Sequence, residues 1–152
     1  MAVRVQEADF DLAAEMAALR AGRTDIGAMV SFTGLVRGAS KSGAIDEMTL
    51  EHYPGMTERA LDKIESEARA RWDLQASLII HRFGRLTPGE QIVLVITAAP
   101  HRGDAFAAAE FLMDYLKSRA PFWKREGSGA GAQWVDARDS DEDALERWTT
   151  EG

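Results

Sequence analysis

Cysteine is absent from all 152 residues, which excludes a thiol nucleophile, a cysteine zinc site, an iron–sulfur cluster and any disulfide. Long apolar runs are absent too: the longest strongly apolar stretch, Ile92–Ile96, falls far short of the ~20 residues of a membrane helix. The opening residues MAVRVQEADFD carry acids where a signal peptide needs an apolar segment, so the expected compartment is the cytoplasm, with no membrane partner. No excess of basic charge exists either. The net charge is −7, and a nucleic-acid partner is not expected. The sequence holds no G-x-S-x-G elbow, no P-loop GK[ST] and no H-E-x-x-H. Its histidines, His52, His81 and His101, are too scattered to argue a metal site, and neither a metal nor a cofactor is expected. The glycine-rich run Gly127–Ala132 lacks a phosphate-gripping lysine and reads as a loop.

What is present is an ordinary globular composition, 45% hydrophobic and 28% charged, in a chain long enough to bury about two-thirds of its surface without staples. The charge is uneven: residues 136–152 carry seven acids against Arg138 and Arg147. We therefore expect one domain over 1–138 and an acidic tail, 139–152, with a candidate short helix capped by Ser140 and Asp143. Val3–Gln6 reads as a strand and Asp11–Ala21 as a helix with Asp9 or Asp11 at its start, stopped by Gly22. Gly27–Val36 has period two, and Ile45–Tyr53 is expected to close a long hairpin with it across the loop at 38–43. Thr57 is the expected cap of an amphipathic helix to Trp72, with Glu65 and Glu67 on its solvated face. Leu74–Phe83 alternates, Gly84–Gly89 reads as a turn, and Gln91–Ala99 is apolar nearly throughout, as a central strand covered on both faces would be. A third helix is expected from Asp104 to Arg119, with Phe106, Ala109, Met113 and Leu116 inward. Phe122–Glu126 and Gln133–Arg138 flank the glycine-rich run. The order predicts an α+β fold with a mostly antiparallel sheet.

Chemistry points to cations. His101-Arg102-Gly103-Asp104 lies between a central strand and a helix start, where backbone N–H groups favour anions; a surface turn with Asp104 as cap explains the same residues. Lys117 follows Met113 by four positions, so its stem is expected to border the buried stripe, although lysines commonly snorkel there. Lys124 sits in the basic-aromatic stretch Phe122–Glu126, and Arg37 ends a long strand. Together these describe a pocket for phosphate and carboxylate groups, in which clustered cations would favour a reactive lysine. A non-catalytic module that holds a phosphorylated metabolite or an acidic peptide uses the same residues.

Six blocks carry a resemblance. Ser31-Phe32-Thr33-Gly34-Leu35-Val36-Arg37, Leu50–Met56, His81–Leu86 with Gly89-Glu90, His101–Phe106, Asp114–Lys117 and Ala120–Glu126, closed by Gly131–Val135, resemble the catalytic (large) subunit of molybdopterin synthase, the MoaE family, over about residues 3–138. The resemblance implies an α/β hammerhead-like fold with an additional antiparallel sheet. It implies a sulfurtransferase that inserts two sulfurs into cyclic pyranopterin monophosphate to form the molybdopterin dithiolene. The sulfur donor it implies is a small ubiquitin-like sulfur-carrier subunit with a thiocarboxylated C-terminal Gly-Gly. By position in the motifs, Lys117 and Lys124 are the implied catalytic residues. Leu35, Val36, Arg37, His101, Arg102, Arg125 and Glu126 are implied for the substrate, and Phe32 and Met113 for the partner's tail. The implied assembly is a homodimer within a heterotetramer, with pockets drawn from both catalytic subunits and Arg37 the candidate to cross between them. A chain without cysteine needs such an external sulfur donor.

Overall fold

The computed structural model describes residues 2–40, 43–44, 47–127 and 133–135, together with Glu146 and Trp148. Two four-stranded sheets organise them. The first has the order β1 (Ala2–Gln6), β6 (Ala76–Arg82), β8 (Gln91–Ala99), β2 (Ala28–Leu35), and the second β10 (Gln133–Val135), β9 (Phe122–Gly127), β5 (Glu47–His52), β7 (Gly84–Leu86). Only β1 and β6 pair in parallel; the other pairs of both sheets are antiparallel. This is the expected α+β fold with an additional antiparallel sheet.

The first sheet is buried on both faces, and its sequence shows why. Along β6 and β8, Ile79, Val93 and Val95 point into a core with Leu61, Ile64 and Ala68 of α2 (Met56–Arg71) and Phe111 and Leu112 of α3 (Arg102–Ser118). Their alternates Leu78, Ile80, Leu94 and Ile96 point the other way, onto Phe10 and onto Leu12, Met16 and Leu19 of α1 (Leu12–Arg20). Successive residues of a strand face opposite sides, so a two-sided sheet demands apolar residues at every position. That explains the continuous run at β8. It also corrects the alternation expected for Leu74–Phe83, where all of β6 but His81 is buried.

Several local expectations are met at the level of single atoms. Asp11 caps α1, its Oδ1 accepting from the Ala14 N–H at 3.0 Å, and Gly22 ends it at φ +69°. Others are corrected. The α2 cap is Gly55, at φ +82°, whose N–H donates to Glu58 Oε2 at 2.6 Å. Thr57 is instead fully buried and its hydroxyl donates to the Tyr53 carbonyl at 2.9 Å. Glu65 lies inside, 3% exposed, not on a solvated face. Helix α3 begins two residues before Asp104, and Phe106 is 60% exposed while Phe111 and Leu112 fill the core.

The long hairpin does not form. β2 pairs with β8, Ala28 opposite Ala99 and Leu35 opposite Gln91, with an irregularity after Gly34. β5 joins the second sheet between β7 and β9. Residues 38–44 contribute a two-residue ribbon, β3 (Ala39–Ser40) with β4 (Gly43–Ala44), and Gly84–Leu86 is a strand, not a turn. The second sheet closes over Val36, Met48, Leu50 and Leu86, with Phe83, Ile92 and Phe122 at the border. The glycine-rich loop and the Ser140–Asp143 cap lie outside the described residues. Trp148 does not hang free: it packs edge-on against Trp72 and Phe111 and donates from Nε1 to Asp114.

Candidate active site

The direction of β8 divides the candidate residues into two groups. Its Ala99 end leads through Pro100 to His101, the N-cap of α3, and Arg102, the first helical residue; both are exposed. The N-cap is His101, not Asp104, which lies within the first turn, and His101 makes no side-chain cap bond; the first-turn N–H groups have no intrahelical acceptor. Helix α3 then runs back along the sheet, and at 1.5 Å per residue it carries Lys117 about 22 Å from Arg102. Lys117 reaches the Gln91 end of β8. There β2 ends, with Leu35 exposed, Val36 buried and Arg37 exposed. The Val36 backbone is held at both groups: its N–H donates to Glu90 O at 2.9 Å, and its carbonyl accepts from Gly89 at 2.8 Å.

Lys124 reaches the same end from the second sheet. It lies opposite Leu50, two residues after Phe122, which lies opposite His52; alternation puts Phe122 and Lys124 on one face of β9. The backbones of Arg125 and Glu126 continue that strand opposite Thr49 and Met48. Lys117 and Lys124 meet electrostatically at His81. This residue sits on β6 opposite Val93 of β8 and Val5 of β1, on the face that α3 covers. Its ring stacks on Phe122 with centroids 3.7 Å apart and planes 18° apart. His52 flanks the stack, 4.5 Å from the Phe83 ring and 5.9 Å from Phe122. Desolvation, reinforced by the charges of Lys117, Lys124 and His52, lowers the His81 pKa to about 4 despite a hydrogen bond to the Arg82 carbonyl. Placing two ammonium groups around a desolvated ring disfavours a third positive charge.

A buried cation braces this end. Arg82, 7% exposed, donates from Nε to Glu7 O at 2.9 Å and from Nη1 to Gln91 O at 2.8 Å, with the Glu90 carboxylate 3.6 Å away. It joins the ends of β6 and β8 to the chain leaving β1. Met113 is half-buried one turn before Lys117, and Phe32 is 41% exposed on the edge strand β2. Lys117 itself is exposed, next to buried Leu116 and one turn after half-buried Met113, a placement in which lysines commonly snorkel. Ala120 and Phe122, which follow α3, also border the core.

The structure thus gathers Lys117, Lys124 and Arg37 at one end and leaves His101 and Arg102 at the other. The ladder from Ala28 to Leu35 alone spans about 23 Å. His81 and His52 were not singled out by sequence reasoning. The signal available was a titratable residue, His81, within a strand that is otherwise mostly apolar. Among the described residues no group of His, Asp and Glu could hold a metal ion.

Comparison with known proteins decides the family. The family model described as MoaE protein matches residues 5–119. The chain belongs to the MoaE family. It is 63% identical over 146 residues to a molybdopterin synthase catalytic subunit of Ralstonia nicotianae, covering 96% of this chain and 83% of that protein. The molybdopterin biosynthesis MoaE protein of Burkholderia ambifaria superposes with a TM-score of 0.84 at 56% identity, covering 98% of this chain and 99% of that one. Molybdopterin synthase from Staphylococcus aureus superposes at 0.80 with 29% identity, covering 88% of this chain and 96% of that one. The MoaE chain is therefore an enzyme component, the catalytic subunit type of molybdenum cofactor biosynthesis, and the reading as a non-catalytic binding module is set aside. No helix among the described residues is long and apolar enough to cross a membrane.

Proposed function

We propose that this MoaE chain transfers sulfur from the thiocarboxylated Gly-Gly terminus of a small ubiquitin-like subunit to cyclic pyranopterin monophosphate, forming the molybdopterin dithiolene in the cytoplasm. The observation that carries the reading is the approach of Lys117 and Lys124, from a helix and from a separate sheet, to one desolvated aromatic patch. Two ammonium groups beside low-dielectric walls attract an anionic tail and stabilise negative charge that develops as its sulfur attacks. In each transfer the thiocarboxylate sulfur displaces an oxygen substituent of the substrate to give a thioester, and water then cleaves its acyl–sulfur bond, leaving the sulfur on the substrate and an ordinary carboxylate on the tail, so two loaded partners are consumed per product. The chain has no cysteine and cannot store the sulfur itself.

The substrate phosphate calls for charge-assisted bonds, which Arg37, His101 and Arg102 are equipped to make. One chain holds these residues at opposite ends of β8, so the complete pocket pairs the Arg37–Lys117–Lys124 end of one protomer with the His101–Arg102 end of another. This modifies the expectation that Arg37 is the residue that crosses: Arg37 shares its end with the lysines, and His101 and Arg102 cross. Leu35, Val36, Arg125 and Glu126 complete the lining, and Phe32 and Met113 receive the tail. The working assembly is then a homodimer of this chain with a sulfur-carrier subunit on each protomer.

The test compares product formation by the chain alone, with the carboxylate form of the partner, and with its thiocarboxylate. Product is expected in the third arm alone. Turnover in either of the first two would refute sulfur transfer from the partner.

A further inference from the structure

Strand β2 ends at Leu35. Of the next two residues, Val36 is buried and Arg37 stands exposed. Val36 is held by one turn, residues 87–90, between β7 and β8: its N–H donates to Glu90 O at 2.9 Å, and its carbonyl accepts from the Gly89 N–H at 2.8 Å. Gly38, on the other side of Arg37, borders the same turn, since a Cβ there would stand 3.8 Å from Pro88 Cβ. Both chain neighbours of Arg37 therefore lie against it. Thr87, Pro88 and Gly89 are all exposed, so packing does little to fix the turn, and its shape rests on hydrogen bonds. A carboxylate supplies them. Glu90 Oε2 accepts from the Thr87 N–H at 2.6 Å and from the Thr87 hydroxyl at 3.1 Å, while the Glu90 N–H donates to Thr87 O at 3.1 Å. Glu90 Oε1 faces the buried Arg82, 3.6 Å from Nη1. Arg82 is itself fixed by its bonds to Glu7 O and Gln91 O.

We infer that Glu90 is a positioning residue for the substrate: by tying the turn to Thr87 and Arg82, its carboxylate fixes the backbone of Val36 and so the point from which Arg37 offers its guanidinium to the substrate phosphate. The inference rests on the proposed role of Arg37. A guanidinium binds phosphate through paired, directional N–H bonds, and these weaken when the backbone that carries the arginine shifts. Glu90 makes no favourable contact with a phosphate of its own, because the two charges repel. Its value to the site lies in the turn it holds. The Thr87 N–H keeps the Glu90 carboxyl below its ordinary range, so the clamp is charged at neutral pH.

The experiment measures kcat and KM for the pterin substrate, with the assembled enzyme and its thiocarboxylated partner. Glu90→Ala should raise KM by about three- to tenfold, the equivalent of one hydrogen bond, with kcat within about twofold of the parent. In an Arg37→Ala background the same substitution should change KM by less than about twofold, because no guanidinium is left to misplace. In an Arg102→Ala background it should keep its full effect. A merely structural role gives the same loss in both backgrounds. Full additivity with Arg37→Ala, or an unchanged KM in Glu90→Ala, would overturn the inference. Two further variants separate reach from charge, and they still decide if Glu90→Ala fails to fold. Glu90→Gln keeps the length and an oxygen for Thr87, and should recover most of the loss. Glu90→Asp keeps the charge but is one methylene short of Thr87, and should resemble Glu90→Ala. The reverse ranking would make the charge and not the clamp responsible, and would overturn the inference as well. Arg37→Ala alone separates the two levels. An unchanged KM there removes the proposed phosphate role of Arg37, whereas a raised KM beside a normal Glu90→Ala removes only the clamp.

Discussion

The two ends of the central sheet are built on different principles. At the Gln91 end, a second sheet, the buried Arg82 and a stack of His81 on Phe122 surround the approach of Lys117 and Lys124. At the Ala99 end, His101 and Arg102 stand exposed on the first turn of α3, with N–H groups that have no intrahelical acceptor and no side-chain cap. The first end sets its lysines beside a desolvated ring and a buried arginine, suited to stabilising charge that forms during a reaction. The second is an open anion-binding helix start, suited to holding a phosphate already charged in water. One α-helix links them, and its length keeps them apart. In the function proposed here, a pocket that needs both properties is completed by a second copy.

The sharpest way to break this contrast is at the lysine end. Lys117→Ala should reduce single-turnover product formation by about 100-fold or more with an unchanged circular dichroism spectrum. Arg102→Ala should instead act on affinity, weakening substrate binding by about 1.5–3 kcal/mol in a calorimetric titration. If the two variants gave the same split between rate and affinity, the ends would not be functionally distinct.

Stability should follow the same geography. Trp148 is 7% exposed against Trp72 and Phe111, and truncating a buried tryptophan costs about 3–5 kcal/mol. Removing residues after 139 should therefore lower the melting temperature markedly. It should leave activity substantially intact at low temperature, since no proposed pocket residue lies beyond Glu126. Acid should act through His81. Its folded pKa of about 4 lies below the usual value of 6.5, so the unfolded chain takes the proton first. Stability is complete above about pH 6.5 and is lost as pH falls toward 4, by about 3 kcal/mol in all. Denaturant titrations at pH 7 and pH 5 should show about 2 kcal/mol of that loss, and His81→Phe should reduce it. The smallest effect is expected far from both ends. Burial raises the Glu65 pKa, and one of its oxygens has no hydrogen-bond partner. The charged form is penalised above its folded pKa, so Glu65→Gln should be neutral or stabilising at pH 7, by no more than about 1 kcal/mol.

What could be read beforehand follows from the range of the forces involved. Strand β8 was legible because burial on both faces leaves it nearly all apolar, Thr97 being the one fully buried polar side chain and donating to the Ala105 carbonyl. The α1 cap was legible because Asp11 acts on its own neighbours. The partner of β5 was not, since nothing in Glu47–His52 distinguishes a hairpin with β2 from pairing with β9 some seventy residues later. The inward face of α3 was misjudged around Phe106 because the helix is rich in alanine. Small residues let α3 approach the sheet, and the burial falls on Phe111 and Leu112. The site residues came from motif resemblance, whereas their division between two ends needed the direction of β8 and the length of α3. His81 was passed over because its setting depends on a stack with Phe122 and on charges from two other elements, none of them adjacent in sequence.

Subunit mixing tests the division most directly. Arg102→Ala and Lys117→Ala chains, each impaired alone at a substrate concentration below saturation, should regain part of the parent turnover when mixed and allowed to exchange, because one hybrid pocket then has an intact lysine end and an intact Arg102. Arg37→Ala mixed with Lys117→Ala should regain nothing, since both defects lie at the same end of each chain. Rescue by the second pair and not the first, with exchange verified by mass spectrometry, would contradict the shared pocket described here.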